Sequence, residues 1–275
     1  MSSGALELRE VRGPSALGGG WRRSLELLYL IASTEFKRTY FGTVLGYLWS
    51  LCRPLLLFAV LLEVFTHLTR FSHVTHYPLL LLTGIVLYGF FQEASSIAVA
   101  SVVNQEAIVR KTQFPRLVIP LAVVLTAGFN LILNLAVTFG FILGFGVSPM
   151  WTWLLLPVLL AALLVFTTAV SMLLSALYPR YRDVGIIWTV VATALFYATP
   201  ILYPLTRLHG TIATLVACNP LTPILELARR WLIDPTAPIR TGTVEVIVPI
   251  VLYLGICVLA VWIFRREAPR IAEEL

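Results

Sequence analysis

Polar positions are sparse along this 275-residue chain, and apolar ones gather into long stretches. A helix crossing a hydrocarbon layer of about 30 Å needs about 20 apolar residues. Six runs meet that length, at 44–68, 78–100, 117–146, 151–177, 184–204 and 243–264. Several of them contain Pro, Gly or hydroxyl residues, which spanning helices tolerate where neighbouring helices supply packing and hydrogen bonds. The pattern predicts an all-α integral membrane bundle of six transmembrane helices.

Two further segments show helical spacing without spanning. Trp21, Leu25, Leu28, Tyr29, Ala32 and Phe36 form an apolar stripe among Arg22, Arg23, Glu26 and Lys37, as expected of a helix lying in the cytoplasmic interface. The segment "NPLTPILELARRWLIDP" offers Asn219 as N-cap and Pro220 at the first helical position. Its apolar face is Leu221, Ile224, Leu225, Ala228, Trp231 and Leu232, and Asp234-Pro235 stops it. With the breaks at Pro200 and Pro204, it predicts a broken or re-entrant element before the last span. Pro200, Pro204, Asn219 and Pro220 are thus candidate parts of an outer gate.

Composition fixes the solvent. At 59% hydrophobic and 12% charged residues, with a mean hydropathy of +0.89, the chain is far more apolar than a soluble domain. Residues 1–20 are polar and glycine-rich, and are expected to be a flexible N-terminus without a cleavable signal. The bundle is expected over 21–264 and a cytoplasmic tail over 265–275. Fourteen of the 20 Lys and Arg residues fall at the two ends, between spans two and three and between spans four and five. The positive-inside rule then puts both termini in the cytoplasm.

Several chemistries lack their residues. Neither lysine, Lys37 nor Lys111, follows a glycine, so the phosphate-binding loop GxxxxGK[ST] is missing. With only Asp183 and Asp234, there is no Asp-x-Asp pair for a divalent metal and a nucleotide sugar. Cys52, Cys218 and Cys257 lack metal or redox spacing, and His67, His73 and His76 read as interfacial polar residues rather than ligands. No catalytic residue, metal site or nucleic-acid surface is expected. Arg53, Glu63 and Glu93 lie inside predicted spans, where charge is costly and marks function by default. Glu93 reads either as a proton relay, which an ion-coupled carrier would need, or as half of a structural pair with Arg53.

Neutral polar and aromatic residues recur at helical spacing. Tyr40, Thr43, Tyr47 and Ser50 share one face, Tyr88, Phe91 and Ser95 another, and Thr189, Thr193, Phe196 and Tyr197 a third. Such stripes suit a conduit for polymers that are polar at their edges and apolar on their ring faces; they also suit plain helix packing. Between spans two and three, Asn104 reads as the cap of a short cytoplasmic helix with Glu106 in its first turn, Arg110 and Lys111 in its last, and Phe114-Pro115-Arg116 as its stop.

Four stretches in order, "FKRTYFGTVLGYLWSLCRPLL", "NQEAIVRKTQFPRLVIPLA", "YPRYRDVGIIWTVVATALFYATPILYP" and "NPLTPILELAR", resemble the permease subunit of ABC-2 type exporters. The branch they resemble exports lipid-linked polysaccharides such as O-antigen, teichoic acid or galactan. The resemblance implies a homodimer of this subunit above two copies of a separate ATPase, which would hold ATP and magnesium and leave this chain without a cofactor. It implies a multi-pass protein of the bacterial cytoplasmic membrane, surrounded by membrane lipids. It makes the segment from Asn104 to Arg116 a coupling helix seated on the ATPase. In "YPRYRD", Arg180, Arg182 and Asp183 either pair locally or touch the ATPase or the interface helix. A drug or small-lipid exporter of the same superfamily would share the fold and differ only in cargo. Lys37, Arg38 and Arg53 sit where a polyprenyl-pyrophosphate headgroup would be guided inward, although positive-inside anchoring also accounts for the first two.

Overall fold

The computed structural model describes residues 21–40, 46, 48–68, 76–105, 117–239 and 241–267, the side chains of 21–25, 27, 38–40 and 67–68 excepted. Nine α-helices follow one another among them. These are α1 (Trp21–Tyr40), α2 (Leu48–Leu68), α3 (Tyr77–Asn104), α4 (Val118–Gly144), α5 (Leu156–Leu177), α6 (Asp183–Ala198), α7 (Gly210–Ala217), α8 (Leu221–Leu232) and α9 (Thr243–Glu267). A 3₁₀ turn at Trp151–Leu155 leads into α5, and a second lies at Leu205–Arg207.

α3 is the axis of the bundle, packing against α2, α4, α5, α6 and α8. It is largely apolar, as a helix packed among others must be, and nineteen of its residues from Tyr77 to Val102 are buried. A row of rings crosses the layers. Trp188 of α6 meets Phe91 of α3 edge-on at 6.0 Å, Phe91 stacks on Phe166 of α5 at 5.8 Å, and Phe166 stacks on Tyr253 of α9 at 5.2 Å. Each contact adds about 0.5–1.5 kcal/mol beyond area burial. The Tyr253 hydroxyl also donates to the Ala162 carbonyl at 2.8 Å, fixing the last helix to α5.

The helix expected at 21–40 forms over that range and lies on α4. Ala32 is fully buried there, Thr126 donates to its carbonyl at 3.2 Å, and Phe129 meets Tyr29 and Phe36 edge-on at 6.4 and 5.6 Å.

Among the described residues five helices are long and apolar enough to cross a membrane, counting Trp151–Leu177 as one, or six if the bent pair α7–α8 is one span. The stretch expected as a span at 184–204 departs from the pattern. Its helix stops at Ala198 after 16 residues, about 24 Å of rise, and residues 199–204 turn away although Ile201, Leu202 and Tyr203 continue the apolar run. Pro200 ends the ladder because it has no N–H to donate. The expected re-entrant element is present, with α7 and α8 bent 89° to one another.

Asn104 is a correction. It is the last residue of α3 rather than the cap of a new helix, because nothing between Ala98 and Val103 breaks the helix. Glu106, Arg110, Lys111, Phe114, Pro115 and Arg116 lie outside the described residues, as do Thr43 and Tyr47, the side chains of Arg38 and Tyr40, His67 and His73, the N-terminus to Gly20 and the tail beyond Glu267.

Phe129→Ala removes the ring that both Tyr29 and Phe36 touch. It should raise amide hydrogen exchange across α1 at least about tenfold, the equivalent of about 1.4 kcal/mol of lost docking, while α3 remains protected; unchanged exchange in α1 would show that Phe129 does not hold it.

Candidate functional site

Two polar centres interrupt the apolar interior. The first holds the turn after α6. Arg229 of α8 is 5% exposed and ion-paired to Glu226 one turn earlier at 2.9 Å. Its guanidinium donates to the carbonyl of Pro200 and, at 3.3 Å, to that of Ile201. The next carbonyl, that of Leu202, accepts from the Tyr77 hydroxyl at 2.8 Å. Three consecutive carbonyls freed by the end of a helix are thus each met by a side chain from another helix. The rigid fork of arginine suits two adjacent oxygens, and Glu226 offsets its charge in a setting where an unpaired cation would cost several kcal/mol.

The predicted gate residues converge on this point. Asn219 Nδ2 donates to Thr199 Oγ1 at 2.8 Å, while Asn219 Oδ1 accepts from Leu221 N–H at 3.0 Å and so caps α8 as expected. Pro200 is buried beneath the arginine, and Pro204 precedes the second 3₁₀ turn. Gly84 of α3 is the close approach from below. A Cβ there would lie 3.1 Å from Ile201 Cγ2 and 3.4 Å from its Cα.

The role of Arg229 was open to a helical wheel. It falls four residues after Leu225 and three before Leu232, inside the apolar face, with a carboxylate at i−3.

The second centre is a cavity of about 330 Å³ between α2, α3 and α4, edged by Phe196 of α6. Arg53, Glu93, Asn130 and Asn134 bring its polar groups, and Trp49 and Ser50 also line it. Asn130 Nδ2 donates to Glu93 Oε1 at 2.6 Å, and Asn134 Nδ2 donates to the carbonyls of Ser50 at 3.2 Å and Asn130 at 2.8 Å. The charge of Arg53 acts on Glu93 across the cavity. The pairing expected for these two residues is therefore electrostatic and at a distance.

The stripes divide. Phe91 and Ser95 are enclosed in the subunit core, Ser95 accepting from Trp188 Nε1 at 3.2 Å, and Tyr88 spends its hydroxyl on the Ala192 carbonyl. Phe91 and Ser95 thus serve packing within the subunit, which corrects their reading as open lining, whereas Tyr88 also borders the cavity. Thr189, Thr193 and Tyr197 are exposed on α6, and Phe196 packs between Tyr88 and Tyr197. Lys37 is exposed near the end of α1. Arg180 and Arg182 lie over the rings of Tyr181 and Tyr178 at 5.3 and 5.1 Å, and Asp183 forms no ion pair with either among the described residues. Of the two readings of this cluster, the local pair is thus replaced by stacking on the rings.

A bundle of long apolar helices with a bent helix pair among them is the architecture of a multi-pass membrane protein. Residues 26–232 match the ABC-2 type transporter family, and the chain belongs to it. It is similar to the O-antigen export system permease protein RfbA of Klebsiella pneumoniae, 30% identical over 201 residues that cover 73% of this chain and 77% of that one. The RfbA of Myxococcus xanthus is 29% identical over 201 residues, covering 72% and 77%.

Replacing Arg229 with Met leaves Glu226 and two carbonyls unmet, and should cost about 3–5 kcal/mol. Gly84→Ala, which presses on Ile201, should cost about 1–3 kcal/mol. Both are read from thermal unfolding in detergent, and an Arg229→Met variant melting with the parent would remove the clamp.

Proposed function

We propose that this chain is the membrane subunit of an ATP-driven exporter that moves a polyprenyl-pyrophosphate-linked polysaccharide, of O-antigen or galactan type, across the bacterial cytoplasmic membrane. The observation that carries this reading is the similarity, over nearly three quarters of the chain, to permeases named for O-antigen export. Two copies form the conduit and two copies of a separate ATPase drive it, in keeping with a chain that lacks a phosphate-binding loop. Both termini face the cytoplasm. The segment after α3, from Glu106 to Arg116, couples to the ATPase. Lys37 and Arg38, where α1 ends before the first span, meet the diphosphate at headgroup depth by charge-assisted hydrogen bonds. Thr189, Thr193 and Tyr197 face the path, and the turn at Pro200 with Asn219 and Pro220 bounds its outer end.

Deletion of the gene should remove the surface polysaccharide and leave lipid-linked polymer inside the cell, with the parent gene restoring export. A deletion strain with unchanged surface polymer would refute the reading. In the reconstituted complex, scrambling 106–116 should abolish transport while the ATPase still hydrolyses ATP; transport at the parent rate would refute the coupling role.

A further inference from the structure

The cavity between α2, α3 and α4 contains a polar atom that folding leaves unused. Asn130 is 4% exposed, and its Oδ1 has no hydrogen-bond partner. The amide orientation is fixed by chemistry. Nδ2 faces Glu93 Oε1 at 2.6 Å, and turning the amide over would set two acceptors against each other. The cavity is thus lined by Asn130 and the Glu93 carboxylate and by Arg53, whose guanidinium carries five donors. Trp49, 49% exposed, adds an apolar ring at the rim.

This set discriminates between ligand classes. A diphosphate offers only acceptors and would meet the Glu93 carboxylate, which repels it. A cation would meet Arg53. A purely apolar chain would leave both charges unmet. A neutral polyol supplies donors and acceptors on each hydroxyl together with an apolar ring face, and a volume of about 330 Å³ is of the size that holds a small ligand.

We infer that the Arg53–Glu93–Asn130 cavity is a saccharide-binding subsite that reads the hydroxyls of one or two sugar units, with Trp49 beneath a ring face. The inference rests on the polysaccharide reading above and deepens it. It moves Arg53 from headgroup guidance to sugar recognition, and it leaves Lys37 and Arg38 with the diphosphate.

The test uses the purified permease–ATPase complex in nanodiscs and follows tryptophan fluorescence during titration with galactobiose, mannobiose, maltose and cellobiose, and separately with inorganic pyrophosphate. At least one disaccharide should give a saturable change that disappears in Trp49→Phe, whose side chain is exposed and whose replacement leaves the fold intact. Glu93→Gln should weaken that disaccharide about tenfold, the loss expected for one hydrogen bond to a charged group, and Asn130→Leu should weaken it at least as much. Pyrophosphate should give no Trp49-dependent change. Should Asn130→Leu fail to assemble, Trp49→Phe and Glu93→Gln decide alone. A Trp49-dependent response to pyrophosphate that Arg53→Gln removes would make this an anion site, and no disaccharide response would overturn the inference. If the deletion strain has lost its surface polymer and no sugar binds here, the subsite fails and the export reading stands.

Discussion

A polypeptide that stops being helical inside an apolar bundle must still satisfy its carbonyls, and the turn at 199–204 depends on how that demand is met. Water is the usual partner at a helix end, and here the partners are side chains. Arg229 meets Pro200 and Ile201, Tyr77 meets Leu202, and Thr199 is tied to Asn219. Each bond to a charged donor contributes about 1.5–3 kcal/mol net, and an orphaned carbonyl costs about 1–3 kcal/mol. The turn is therefore stable only while α3, α6 and α8 keep their relative positions. Gly84 permits that arrangement by letting α3 approach Ile201 closely.

The same constraint explains why α8 carries its charge inward. A helix with one apolar face ordinarily turns arginine to water, as α8 does with exposed Arg230. Arg229 sits one position earlier, on the buried side, where Glu226 and two carbonyls take three hydrogen bonds from it and leave Nε without a partner among the described residues. At its far end α8 is held by Thr152, whose hydroxyl donates to the Trp231 carbonyl at 2.6 Å. α8 is thus fastened at both ends, and its contact with α3 sets its position.

Most helices were legible because length and spacing record burial directly. The stripe from Trp21 to Phe36 gave the interface helix its bounds, and the Asn219-Pro220 start located α8. The end of α6 was hidden because Ile201, Leu202 and Tyr203 are as apolar as the helix before them, and hydropathy does not register a change of direction; only Pro200 marks it. Asn104 misled because asparagine closes helices as readily as it opens them when no breaker precedes it. Phe91 and Ser95 could not be told from a path lining, since spacing cannot say which face of α3 meets a neighbour. The cavity was half legible. Arg53 and Glu93 stood out as charges within spans, but Asn130 and Asn134 join them only once α4 is packed against α3.

The two polar centres answer different demands, and their hydrogen bonding separates them. At the turn after α6 donors and acceptors are matched almost completely, which is the condition under which a buried ion pair adds to a fold instead of weakening it. In the cavity the match is left incomplete. Arg53 and Glu93 influence each other without closing into an ion pair, and Asn130 Oδ1 is unmet. Asn130 supplies the Glu93 carboxylate with a donor at 2.6 Å, which leucine at 130 would remove, so the asparagine serves the fold through its amide N–H and leaves its carbonyl over. A cavity that holds a cation and a carboxylate not closed on one another keeps hydrogen-bonding capacity for a passing hydroxylated molecule: enough to hold each unit, and too few contacts to stop it.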